Sequence, residues 1–313
     1  LANAGKTVFS KEAVLARQLY AYGMLHAERP LHRAREALWT NAEDYIDTLE
    51  TAAAQLDSAL ATRLTRIGGS LHRDHPNRGK PQPTIIEIRD AARRLLASEC
   101  AAFLLNANPI VSERWDPYVR WKNELLHCDD TVHTVITFNY DRLLEVLGLG
   151  PSVVLPELAA GSSGLIRVLK LHGSVDWKRT KSGYEQVQTM PGYFHLTCSD
   201  DELAIAPPGP GKKELSNAGL RPLWDLALAE LGVADAIFFV GYRFPPTDAL
   251  ARRELLGALN PRADLHIVLG PKDSDDVVRL RELLQFFSPD KHPRVHHMWS
   301  QDFLGCAPTG LLG

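Results

Sequence analysis

Four short runs of β-branched, aliphatic and aromatic residues constrain this chain more than any other feature: HTVITF (133–138), IRVLKL (166–171), IFFVG (237–241) and LHIVLG (265–270). Each is bounded by turn residues, as strands are. Their apolar character is nearly continuous rather than alternating, the pattern of parallel strands covered by helices on both faces. Stretches with helical spacing follow at 140–147, 220–231, 247–256 and 274–286. Strand–helix alternation of this kind predicts an α/β fold, a Rossmann-like parallel sheet flanked by helices.

Ahead of these runs the texture is helical. From Lys11 to about Glu28, Val14, Leu15, Leu19, Tyr20 and Met24 share one stripe. Thr40 with Glu43, and Thr84 with Glu87, have capping-box spacing. Tyr45, Leu49, Ala52 and Leu56 continue an apolar face after the first box; Ile85, Ile88, Ala92, Leu95 and Leu96 do so after the second. Residues 72–83, HRDHPNRGKPQP, hold three prolines and a glycine and predict a loop. Its Arg73, Arg78 and Lys80 could touch a phosphate, although a basic loop is ordinarily just solvated. The expected organisation is a first core helix within 1–30, a mainly helical subdomain or insertion over 31–128, and the α/β core over 129–313.

At 313 residues the chain has room for one large domain, or a core with an appendage. A formal charge of −3 gives no reason to expect direct nucleic-acid or membrane binding. No apolar stretch approaches the roughly 18 residues of a membrane-spanning helix. The first residues, LANAGKTVFSKEAV, lack the basic-then-apolar layout of a secretion signal. Cys100, Cys128, Cys198 and Cys306 lie far apart with no C-x-x-C pair. That argues against a zinc ribbon and fits reduced thiols, so a cytoplasmic location is expected.

In open α/β sheets, ligands bind beyond the carboxyl ends of the strands. The first run leads into Phe138-Asn139-Tyr140-Asp141, the second into His172-Gly173-Ser174. The third leads into Gly241-Tyr242-Arg243-Phe244-Pro245-Pro246-Thr247-Asp248. Neighbouring strand ends of this kind are expected to converge on one crevice. Each piece also has a plainer reading. Asn139 and Asp141 suit helix caps, and His172 before a glycine suits a core histidine bonded to backbone. Gly241 can simply end a strand, and Pro245-Pro246 can simply start a helix.

Taken together, TFNYD (137–141), KLHGSVDW (170–177) and VGYRFPPTD (240–248) resemble the sirtuin-like (silent information regulator) family. The closer resemblance is to its bacterial branch that hydrolyses NAD instead of deacylating proteins. LAIAPPGPGKKEL (203–215), Trp224 ahead of the third run and the acidic NAEDYIDTLE (41–50) fit that branch too. There are two departures from the family pattern. The family opens with a strand and a Gly-Ala-Gly loop that holds the dinucleotide phosphates at a helix N-terminus, whereas this sequence starts at Leu1 with residues 11–28 resembling the helix that follows that loop. The later motifs are intact, so the expectation is a beginning that lies upstream, rather than a degraded phosphate site. The paired C-x-x-C motifs of the deacylases are also missing, and Phe138 stands where the deacylase motif has glutamine.

The resemblance implies an NAD+ glycohydrolase that releases nicotinamide and ADP-ribose, with NAD+ as substrate and no metal. Asn139 would orient the ribose and the attacking water, and His172 would serve as general base, a task suited to imidazole. Asp141 would bind the nicotinamide carboxamide or order its loop. Thr137, Phe138, Gly173, Ser174, Gly241, Tyr242, Pro245 and Asp248 would surround the dinucleotide. Members of that branch deplete NAD in bacterial antiviral defence. They are held in check by oligomerisation or by a partner such as a hexameric helicase-type ATPase or an Argonaute-like protein, so a homo-oligomer or such a partner is expected. The alternatives are a catalytically silent NAD or ADP-ribose sensor or scaffold and, third, a zinc-free deacylase.

Other candidates carry less. GPGKK (209–213) fails the phosphate-loop spacing, with Ala206 and Lys213 at the positions that matter. His292, His296 and His297 have only Asp290 nearby, and neighbouring residues on a strand face opposite sides. Trp115, Tyr118 and Trp121 at helical spacing read as core or inter-subunit packing.

Overall fold

The computed structural model describes residues 10–27, 38–39, 42–73, 81–106, 113–127, 131–187, 198–206, 219–245, 248–272 and 274–306. They fall into two compact units, one drawn from Leu1–Phe103, Asn139–Asp141 and His172–Ala218, the other from Leu104–Phe138, Arg142–Leu171 and Gly219–Gly313.

Among the described residues the first unit holds four α-helices, α1 (Lys11–Ala27), α2 (Ala42–Ala54), α3 (Ala59–Arg73) and α4 (Ile85–Asn106), the last running beyond Phe103. Hydroxyl side chains start three of them. Ser10 accepts the Ala13 amide and Ser58 the Ala61 amide, each at 3.1 Å. Thr84 and Glu87 close the reciprocal box read from the sequence: the Thr84 amide reaches the Glu87 carboxylate at 2.8 Å, and the Glu87 amide reaches the Thr84 hydroxyl at 3.2 Å. The Thr84 amide, and the Thr84 hydroxyl donating to the same carboxylate at 3.0 Å, favour its ionised form and hold Glu87 below the usual range. The Thr40–Glu43 box lies outside the described residues, as do Arg78, Lys80 and the GPGKK segment.

Leu15, Leu19, Trp39, Tyr45, Leu49, Leu64, Ile85 and Ile88 form one core, so α1 packs with α2, α3 and α4. Leu56 departs from the expected stripe: α2 ends at Ala54, and Leu56 is 54% exposed. The buried Tyr45 hydroxyl donates to the Ala16 carbonyl at 2.8 Å, and burial pushes the phenol upward. Farther along α4, Ala97 packs on Val175, Leu203 and Ile205 of an antiparallel sheet ordered β4-β3-β5. Its strands are β3 (Gly173–Thr180), β4 (Gly183–Gln186) and β5 (Leu203–Ile205). The sequence reading did not anticipate this sheet.

The second unit carries the parallel strands. β1 (His133–Thr137) pairs with β2 (Ile166–Lys170), from His133 opposite Ile166 to Thr137 opposite Lys170. β6 (Ala236–Val240), β7 (Asp264–Gly270) and β8 (Arg294–His297) form a second parallel sheet in that order. All four apolar runs are therefore strands, and they pair in parallel as their continuous character requires. Among the described residues the α-helices of this unit are α5 (Asp116–His127), α6 (Arg221–Val233), α7 (Ala249–Gly257), α8 (Asp275–Phe287) and α9 (Ser300–Gly305). With its small parallel sheets flanked by helices, the chain is α/β and Rossmann-like in texture. The expected helix over 140–147 is instead a helical turn that widens to π geometry over Glu145–Leu149, because Gly148 takes φ 106° and breaks it. Trp115 packs with Leu143 and Leu147, while Trp121 lies against Val268, Phe303 and Leu304.

His266 and His296, from adjacent strands, share a hydrogen bond of 2.9 Å between ring nitrogens. Phe238 stacks on His266 and Phe303 tilts against His296. One imidazole must donate and the other accept, so the arrangement requires at least one neutral ring. Burial holds both pKa values below the ordinary imidazole range. Arg294 adds repulsion at both, and Asp264 opposes it at His266.

Two predictions follow from this packing. A Cβ on Gly23 would lie 2.2 Å from Trp39 Cε2, on a ring fixed by its bond to the Tyr20 carbonyl. Alanine gains about 1 kcal/mol of helix propensity, but overpacking costs about 1–3 kcal/mol. Gly23→Ala should therefore lower stability in urea unfolding, and a rise would refute the Trp39 packing. For the histidine pair, the unfolded chain binds more protons than the folded one below about pH 6.5. Stability should be full above that pH and decline as pH falls below it. The doubly substituted His266→Gln, His296→Gln chain should lose this slope when unfolding is followed across pH.

Candidate functional site

The first unit brings together two of the motif segments, residues 139–141 and the turn at 172–174. Gly173 makes this possible. It has φ 78°, and a Cβ there would sit 1.8 Å from the Ala204 carbonyl oxygen. Only glycine permits that conformation and that approach together. With β3 this close to β5, the Ala206 amide donates to the His172 carbonyl at 2.8 Å.

Tyr140 locks onto the same framework. Its carbonyl accepts the Val175 amide at 3.0 Å, and its hydroxyl donates to the Ala206 carbonyl. Its ring lies 6.2 Å from the His172 ring in a stacked arrangement, the planes inclined by 30°. The two residues flanking this pinned tyrosine differ in exposure: Asn139 is exposed and Asp141 half-buried. His172 is only 4% exposed. Loop and turn thus form one interlocked cluster, with an amide at the surface and an imidazole beneath.

A buried polar chain continues along β3. The Ser174 hydroxyl donates to Asp176 at 2.6 Å and lies 3.4 Å from the Tyr140 carbonyl. The other Asp176 oxygen accepts the Gln186 amide at 2.9 Å. Ser174 and Asp176 are both fully buried, so the serine hydroxyl is committed within the protein. The sequence reading gave Asp176 no role. Its only signal was the two-residue spacing of Ser174 and Asp176, which places alternate residues of a strand on one side.

The second unit holds the remaining motif residues. Phe138, just past β1, stacks on Tyr242, just past β6, with ring centroids 4.2 Å apart and planes 17° from parallel. The carboxyl ends of those two strands therefore lie together. The Tyr242 hydroxyl donates to the buried Asp248 at 2.7 Å, and the Asp248 amide donates to the Pro245 carbonyl at 2.9 Å. Asp248 is thus engaged inside the fold. Thr137 ends β1, and its carbonyl accepts the Leu171 amide at 3.0 Å. Gly241 is exposed, with φ 72° and Ser300 Oγ 3.2 Å from where a Cβ would be. Pro246 and Thr247 lie outside the described residues.

Phe244 is a residue that sequence reasoning passed over. Among the described residues it is the one non-glycine with positive φ, 47°. Its buried ring packs edge-on to Phe239 and Tyr242. A bulky residue in that region is strained by about 1–3 kcal/mol, and such strain gathers at functional loops. Lys170 and Glu145 form a buried ion pair at 2.7 Å, with side chains 2% and 4% exposed. The Leu171 carbonyl that follows accepts Trp224 Nε1 at 3.0 Å. Among the described residues no group of three or more histidine, cysteine or acidic side chains is placed to hold a metal.

No model of a known protein family matches the chain, and no curated protein matches it. Removing the tyrosine hydroxyl isolates the main cross-link of the cluster. Tyr140→Phe leaves the fully buried Ala206 without that donor, a loss of about 1–2 kcal/mol. The expected outcome is a lower urea midpoint with an unchanged slope. An unchanged midpoint would mean that this bond does not hold the loop.

Proposed function

We propose that this chain is a sirtuin-like NAD+ glycohydrolase that cleaves the nicotinamide–ribose bond, and that it serves as an NAD-depleting effector in bacterial defence against phage. The observation that carries the reading is the interlock of Asn139-Tyr140-Asp141 with His172, because these are the segments whose sequence resembles the NAD-hydrolysing branch. Within the second unit, the stacked Phe138 and Tyr242 stand at the carboxyl ends of parallel strands, a setting in which nucleotides are commonly bound.

The reaction asks little of the protein in covalent terms. The C–N bond breaks heterolytically, its electron pair leaves with nicotinamide, and the ribose becomes cation-like. Water adds at the anomeric carbon and must lose a proton. His172 is the group to accept it, and Asn139 is the group to orient the ribose and the water. Asp141 can accept the carboxamide N–H of nicotinamide. The rigid backbone around Tyr140 supports this division of labour, since orientation accounts for much of the barrier lowering in such reactions. An enzyme that drains NAD must be silent until needed. Control by self-assembly or by a separate partner, such as a helicase-type ATPase or an Argonaute-like protein, belongs to the same proposal.

One observation favours a second reading, a silent NAD or ADP-ribose sensor: His172 is almost wholly buried. Turnover assays separate the two. Asn139→Ala and His172→Ala should each reduce NAD+ consumption, followed as nicotinamide release, by about 100-fold or more. Retained turnover in both variants would overturn the placement of the site at Asn139 and His172, and no turnover by the unaltered chain would overturn the hydrolase. ADP-ribose binding by the unaltered chain without turnover under any condition would establish the sensor.

A further inference from the structure

The outer face of α3 carries exposed arginines and hydroxyls. The helix contains no acidic residue, and it buries Ala61, Leu64 and Gly68 against the helical core. At 3.6 residues per turn, Arg63, Arg66, Ser70 and Arg73 fall within about 80° of arc on the opposite side. All four are exposed, and exposed Thr62 and Thr65 flank them. At about 1.5 Å rise per residue, the three guanidinium-bearing positions span about 15 Å of helix.

Several arginines elsewhere are paired with acids: Arg17 with Glu99, Arg221 with Asp225, Arg243 with Asp276 and Arg253 with Glu254. Among the described residues, Arg63, Arg66 and Arg73 make no ion pair or side-chain hydrogen bond. An ordinary solvated face mixes both signs of charge, and this one carries only cations and hydroxyls.

We propose that this face docks on the phosphate backbone of duplex nucleic acid. Charge complementarity requires a polyanion, and the chemistry of the face narrows it further. Protein interfaces are built around apolar and aromatic residues, and single-stranded nucleic acid is held by aromatic stacking. The exposed face of α3 offers neither. Arginine and hydroxyl donors are what phosphate oxygens accept, and such contacts position a duplex without reading its sequence. A formal net charge of −3 does not oppose this, because the stripe is local. The proposal is independent of the hydrolase reading.

The test is fluorescence anisotropy with a random-sequence DNA duplex about two turns long. Three phosphate contacts predict a slope of log affinity against log salt of about −2.7, or roughly forty-fold weaker binding between about 50 and 200 mM salt. The triple variant Arg63→Gln, Arg66→Gln, Arg73→Gln should bind at least about ten-fold more weakly. The corresponding triple lysine variant should bind within a few-fold of the unaltered chain. No binding at low salt, binding unchanged in the glutamine variant, or preference for polyglutamate over the duplex would each overturn the proposal.

Discussion

The missing side chain at residue 173 is the constraint on which the candidate site depends. A strand carrying any other residue would have to stand away from the Ala204 carbonyl, which would meet a Cβ at 1.8 Å. The Ala206 amide could not then close on the His172 carbonyl, and the Ala206 carbonyl would not be offered to Tyr140. One close approach of two backbones thus fixes His172, and through Ala206 it fixes the loop that carries Asn139 and Asp141. The glycine is a packing requirement first and a functional one by consequence.

The buried polar groups around these segments make sense as positioning devices rather than as sources of stability. A buried ion pair such as Lys170–Glu145 recovers its desolvation cost only with good geometry, and apolar residues of the same size would often do as well. It does tie the π turn, four residues beyond Asp141, to the end of the strand that leads into His172. Asp176 acts similarly in the first unit. Its two oxygens take the Ser174 hydroxyl and the Gln186 amide, so the first turn of β3 and the end of β4 are held by one carboxylate. Such networks specify one arrangement when every member is satisfied.

The parallel strands were legible because burial on both faces leaves a continuous apolar signature, and the boundaries of β1, β2, β6 and β7 fall within a residue or so of the runs. The Thr84–Glu87 box was legible because its chemistry is local. What escaped was non-local. The antiparallel sheet was hidden because GSVDWKRT and GYEQ mix polar and apolar residues without clean alternation, and β5 is only three residues long. The π turn depends on Gly148 adopting φ 106°, which an isolated glycine in a helical pattern does not announce. The His266–His296 bond required the register of β7 against β8, where residue 266 faces Arg294 and residue 296 lies two residues farther on. At the candidate site, the sequence marked Asn139 and His172, while the roles of Tyr140 and Asp176 emerge only from contacts between distant segments.

Tyr140 shows why a motif can be read for its chemistry and still be misjudged in its mechanics. Within Asn139-Tyr140-Asp141 the flanking amide and carboxylate attract attention because they can touch a substrate, yet the central residue makes the contacts. Its carbonyl, hydroxyl and ring each engage a different neighbour: Val175, Ala206 and His172. With the peptide planes fixed, each flanking residue has only two soft backbone dihedrals between itself and that anchor. Asn139 and Asp141 therefore inherit the precision of Tyr140 without being buried themselves. For the hydrolysis proposed above, which must orient a sugar and a water, this arrangement is favourable because the residue between the two polar side chains carries the constraint.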